Sequence, residues 1–126
     1  MGLTYAKLEL VNLFNKKQVS VNALVDSGAT HMCVTAEVAL QLGYDIEEVA
    51  SHVVTLADGR QTKAPRIGPI EIRFENRAYM TEAMVLGDES LMGVLPLEAM
   101  DLVLDPRGQR LMVNPAHPNY PVAHVK

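Results

Sequence analysis

Hydrophobic residues recur at every second position over several stretches of this 126-residue chain, and that period admits few folds. In "QVSVNALV" the residues Val19, Val21, Ala23 and Val25 fall on one face of an extended segment. "IEIRFE" repeats the pattern, with Ile70, Ile72 and Phe74 on one side and Glu71, Arg73 and Glu75 on the other. Successive side chains of a strand point to opposite faces, so these runs are half-buried strands. Turn-forming residues separate such runs: Asn15-Lys16-Lys17, Asp58-Gly59, Glu75-Asn76 and Pro106-Arg107-Gly108. Asp58-Gly59, inside "VVTLADGRQTKA", is the strongest hairpin signal.

Helix is scarce. "TAEVALQLG" offers Thr35 as an N-cap and Gly43 as a stop. "LPLEAMD" offers one or two turns, with Pro96 at the first helical position. The last residues, "NPAHPNYPVAHVK", carry three prolines and read as an extended tail. The expectation is one mostly-β domain over residues 1–113 with one or two short helices, followed by a Pro-rich tail over residues 114–126.

The length suits one domain rather than two. Hydrophobic content of 48% against 21% charge suits a globular chain. With 5% aromatic residues and no Trp, the core must come from Val, Leu, Met, Ile and Ala. A net charge of −4 with no Lys/Arg cluster argues against a nucleic-acid partner. The single cysteine, Cys33, can form no internal disulfide. Lys7 and Glu9 interrupt the apolar run that a signal peptide needs, and no segment has membrane-spanning length. A cytoplasmic protein without a membrane partner is expected.

One segment resists a purely structural account. "NALVDSGATHMCV", Asn22 to Val34, runs a buried strand into Asp26, Ser27 and Gly28 and then into apolar chain again. Asp, Ser and Gly are common turn residues, but a surface turn rarely needs apolar chain close on both sides. Ser27 as a nucleophile lacks the G-x-S-x-G elbow, since Val25 stands where the first glycine belongs. None of His31, His52, His117 and His124 is tied to it by spacing. The remaining reading makes Asp26 the catalyst. Two facing carboxylates share one proton, so one can activate water while the other polarises a carbonyl.

A weak internal repeat bears on this. At a shift of 60, Asn22–Leu40 pairs with Glu82–Met100, matching Ala23 with Ala83, Val25 with Val85, Met32 with Met92, Val34 with Val94 and Ala39 with Ala99. Asp26 then meets Leu86, so only the first copy carries a carboxylate.

"LVDSGAT", the hairpin around "LADGR", and "LMGVLPLEAM", in that order, resemble the retropepsin-like aspartic proteases, including their bacterial members. The resemblance spans about Leu8 to Val113. It implies a closed β-barrel of the acid-protease fold with a flap hairpin. It also implies a homodimer whose single cleft holds two Asp26 side chains, one per chain. Asp26 would be catalytic, with Ser27, Gly28 and Ala29 supporting its loop and Ser27 bracing it across the dimer axis. Ala57, Asp58, Gly59 and Arg60 would form the flap, and Leu91, Met92 and Gly93 the second packing motif. The substrate would be an extended peptide or protein, cleaved without metal or organic cofactor. Two departures stand out. Retroviral members pair an aspartate after the alanine with an arginine after the later glycine. Here those positions are Thr30 and Val94, so the dimer must be held differently. Ser27 replaces the commoner threonine.

Three rivals remain. The same fold could serve as a non-catalytic binding or scaffold dimer. A serine or cysteine hydrolase would act through Ser27 or Cys33. His31 and Cys33, two apart, could form a dyad or metal pair, although two ligands make no structural zinc site. A buried cysteine beside a satisfied histidine is the simpler expectation, and the seven methionines read as core filler. Asp88 and Glu89 read as a solvated turn, Asp101 and Asp105 as surface or cap residues.

Overall fold

The computed structural model describes residues 3–105 and 107–123. Pro106 of the expected last turn, His124 and the end of the expected tail lie outside the described residues. The chain runs β1 (Tyr5–Asn12), β2 (Gln18–Val25), β3 (Met32–Val34), α1 (Ala36–Gln41), β4 (Ser51–Thr55), β5 (Gln61–Phe74), β6 (Arg77–Val85), β7 (Leu91–Met92), α2 (Val94–Ala99), β8 (Leu102–Asp105) and β9 (Arg110–Val113). All four turn signals fall between consecutive antiparallel strands.

Alternation decides what each strand buries. Val21, Ala23 and Val25 of β2 are buried, as are Ala6, Leu8 and Leu10 of β1, which pairs with it. Each Leu or Ile so covered contributes roughly 1.5–3 kcal/mol. Strand β5 serves several neighbours: its first half pairs with β4, its second with β1, and β6 runs along most of it. The β5–β6 register shifts between Ile67 and Ile70. Gly68 lies there because a Cβ would stand 2.8 Å from Glu82 Cγ. Through the β1–β5 pairing the order β1-β2-β7-β3-β6-β5 closes on itself, leaving β4 outside the ring. The molecule is mostly β, as its alternation predicts.

The internal repeat exists in the pairing. β7 runs parallel to the end of β2, with Val25 opposite Met92, and β3 runs parallel to the end of β6, with Val34 opposite Val85. A step of 60 links Val25 to Val85, but 58 links Val34 to Met92 and α1 to α2. The sequence matches Met32–Met92, Val34–Val94 and Ala39–Ala99 are therefore out by two. The connection after β6 is two residues shorter than the one after β2.

Helix α1 starts as expected: Thr35 Oγ1 accepts the Val38 N–H at 3.2 Å, and Gly43 ends it at φ +91°. Helix α2 begins two residues earlier than expected, with Gly93 as N-cap, so Pro96 is its third residue rather than its first. The first-turn N–H groups of a helix have no partner within it, so proline costs no bond at either place. The expected extended tail instead folds back. From Asn114 to Ala123 it turns and bonds to Asp101, Asn76 and Arg77.

Candidate active site

Asp26 is the first residue beyond β2, and its position is set by the strands on either side. Its N–H donates to the Met92 carbonyl at 3.0 Å, extending the β2–β7 pairing by one bond. Its carbonyl accepts the Ala29 N–H at 3.1 Å, and Oδ1 accepts the Gly28 N–H at 2.9 Å. A Cβ on Gly28 would lie 3.2 Å from that oxygen, so glycine gives the carboxylate close access to the backbone. Asp26 is half-buried in the single chain, not fully buried as its apolar flanks suggest. Ser27 and Gly28 are exposed.

The rest of the loop is clamped to α2. Three successive N–H groups at the helix start, from Gly93, Val94 and Leu95, donate to the carbonyls of His31 (3.0 Å), Ala29 (2.8 Å) and Thr30 (3.0 Å). These donors have no acceptors inside the helix, and the loop supplies them. Gly93 is demanded by the contact, since a Cβ would fall 2.6 Å from the Thr30 carbonyl carbon and 2.7 Å from the His31 oxygen. The Leu91-Met92-Gly93 motif thus holds the loop without facing the cleft, apart from Leu91.

A cleft of about 650 Å³ opens at Asp26, Gly28 and Ala29. Its far wall is β4 and the start of the following turn, from His52 to Ala57. Of the four residues expected in the hairpin tip, Ala57 faces the cleft, whereas Asp58, Gly59 and Arg60 do not line it. They shape the turn instead. Gly59 has φ +88°, and Asp58 accepts the Arg60 N–H at 3.0 Å and its Nε at 2.6 Å. Those bonds from Arg60 hold the Asp58 carboxyl below its usual range. Leu86, Met84 and Cys33 also line the cleft.

The expected buried cysteine beside a satisfied histidine is corrected: Cys33 is half-buried, and His31 is exposed, lines the cleft and makes no side-chain hydrogen bond among the described residues. Burial pushes the Cys33 thiol up, which opposes a thiolate nucleophile. Among the described residues, no three His, Cys, Asp or Glu side chains are grouped to hold a metal, and Ser27 makes no side-chain hydrogen bond to a base. No helix among them is long and apolar enough to cross a membrane.

A family model described as "gag-polyprotein putative aspartyl protease" matches residues 13–99. The chain belongs to that family. No curated protein matches this chain by sequence. Among solved structures, it is similar to a retropepsin-like aspartic protease from Rickettsia conorii, with a TM-score of 0.61 and 24% identity over 83% of this chain and 76% of that one. EIAV protease, in complex with the inhibitor HBY-793, gives 0.60 and 18% over 76% and 86%. The retroviral protease-like domain of Ddi1 from Leishmania major gives 0.59 and 20% over 90% and 91%. The fold is retropepsin-like.

Two further features bear on the site. Leu86 donates its N–H to Val34 O at 3.0 Å, as Asp26 does to Met92 O, so it occupies the position equivalent to Asp26. At the other end of α2, Asp101 takes a left-handed backbone, φ +54°, and gathers the tail. Its carboxylate accepts from Asn114 Nδ2 (3.0 Å), the Val122 N–H (3.0 Å) and His117 Nδ1 (2.6 Å). These bonds, Asn114 foremost, lower its pKa to about 2. Buried Arg77 donates to Met100 O at 3.2 Å and to His117 O, tying the helix end to the tail. Sequence reasoning read Asp101 as a surface or cap residue and missed this role.

Proposed function

We propose that the chain is a homodimeric aspartic endopeptidase in which two Asp26 carboxylates, one per chain, activate a water molecule. The observation that carries this is the half-site: one carboxylate on a clamped loop at a cleft, with Leu86 at the equivalent place in the second copy. A second chain supplies what Leu86 cannot. The pair shares one proton, because two like charges so close cannot both ionise. The ionised member takes a proton from water as it attacks the peptide carbonyl, and the protonated member stabilises the developing oxyanion. Return of a proton to the amide nitrogen then breaks the tetrahedral intermediate.

Ser27, exposed in the single chain, is available to brace the loop across the dimer axis. The missing Asp–Arg pair leaves apolar contact to hold the dimer. Leu3 and Leu95 are 70% and 44% exposed. Both flank the loop, since Thr4 O accepts the Val25 N–H and Leu95 donates to Thr30 O. The β4–β5 hairpin is the flap, closing over an extended peptide and adding strand-like bonds from β4.

The test is activity against protein concentration. Cleavage of a peptide with an apolar central pair should fall, per chain, as the protein is diluted through its dimer dissociation constant, and Asp26→Asn should abolish it. Constant specific activity from a monomer verified by sedimentation, or cleavage surviving Asp26→Asn, would rule the mechanism out. A protein that binds such a peptide as a dimer without cutting it would instead be a scaffold.

A further inference from the structure

The cleft is sparing with charge. Among the described residues Asp26 is the one carboxylate that lines it, and the other ionisable groups there are His31, His52 and Cys33. His52 is already engaged: its Nε2 faces Nη1 of Arg66, whose Nε lies 3.4 Å from Glu82 Oε2. His31 differs. It is exposed and its side chain makes no hydrogen bond among the described residues, while its backbone is fixed on both sides. Its own carbonyl accepts from Gly93, the preceding Thr30 carbonyl accepts from Leu95, and the following Met32 is paired with Met92 and Ala83. A side chain with no partner of its own, carried on fixed backbone at the cleft wall, leaves its ring nitrogens open to a bound peptide.

We infer that His31 sets side-chain preference in this cleft, pairing with an acidic residue of the bound peptide; the inference rests on the peptidase reading above. The physical reason is an asymmetry in available partners. A carboxylate entering the cleft finds His31, with Thr30 and Thr55 on the same lining, and all three side chains can donate a hydrogen bond. An ammonium or guanidinium finds no acceptor carboxylate but Asp26, and pairing with it withdraws that group from catalysis. The cleft therefore accepts apolar side chains along most of its wall, favours Glu or Asp beside His31, and rejects Lys or Arg there.

The chain's net charge of −4 acts against every acidic peptide alike, so isomeric peptides isolate the local effect. The experiment measures binding, by fluorescence polarisation, of peptides with a fixed apolar centre and a single Glu or Lys moved along the sequence. The Asp26→Asn protein is used, since it leaves the peptides intact and removes the one competing carboxylate. At one position Glu should bind roughly fivefold tighter than Lys. That ratio should collapse in Asp26→Asn/His31→Leu, which has no donor, and invert in Asp26→Asn/His31→Asp. No position-specific preference, or one that persists with Leu at position 31, overturns the proposal. The peptidase reading fails by a different result, an apolar-centred peptide left uncut by wild-type protein, and the binding ratio still decides His31.

Discussion

A methyl group at position 93 would meet three backbone atoms of the Ala29–His31 loop at 2.6–2.8 Å. Those atoms cannot step aside without breaking the bonds that hold the loop to α2. Gly93→Ala should therefore cost about 1–3 kcal/mol of stability, read from the urea midpoint, and should lower peptide cleavage further than that loss explains. Wild-type stability and activity would mean that the loop is not clamped there. Asp101 gives a pH test. Its folded carboxyl is held at about 2, against an ordinary value of 3.8. Its contribution is complete above the unfolded value and is lost as pH falls toward 2. The melting temperature of Asp101→Asn should lie below wild type at pH 5, and the gap should close between about pH 4 and pH 2. A gap that stayed constant would remove the carboxylate from the account. Asp26 and Gly93 stood out in sequence because each sits in a short motif, but the contact between Gly93 and the Ala29–His31 loop spans some sixty positions and no local pattern marks it. Asp101 did not stand out, because its donors lie 13, 16 and 21 residues further on, in a segment with no periodicity.

Strands were legible wherever one face is buried, since alternation records that face directly. Helix α2 was harder. Pro96 fits any position of the first turn, so it marks the turn without fixing the start, and the structure begins the helix at Val94. The tail was misread because three prolines describe stiffness rather than destination. Its attachment can be measured. Deleting residues 114–126 strips Asp101 of its side-chain partners and takes from Arg77, 2% exposed, the His117 carbonyl that it donates to. Arg77 keeps Asn76 Oδ1 and Met100 O, and losing its bond to the tail should cost roughly 1.5–3 kcal/mol. Cleavage should drop in parallel, because α2 connects this end of the molecule to the Ala29–Thr30 loop. A truncated protein of unchanged urea midpoint would show that the segment is not docked in solution.

At the scale of the whole molecule, the order of motifs was readable but the closure was not. The β1–β5 pairing that completes the ring joins residues some sixty positions apart, such as Leu10 with Ile72, and no local pattern announces it. The repeat was visible in outline and displaced in detail, because the apolar matches do not register a connection two residues shorter. That shortfall limits what this chain could become. Seven residues, Asp26 to Met32, separate Val25 from Cys33, whereas five, Leu86 to Ser90, separate Val85 from Leu91. Leu86→Asp alone would put a carboxylate on a connection too short to repeat the turn made by Asp26, Gly28 and Ala29. It should therefore fail to yield a concentration-independent peptidase, as dilution assays would reveal. Self-sufficiency in one chain lies beyond the reach of a point mutation: the gene would first have to lengthen by two codons within that connection.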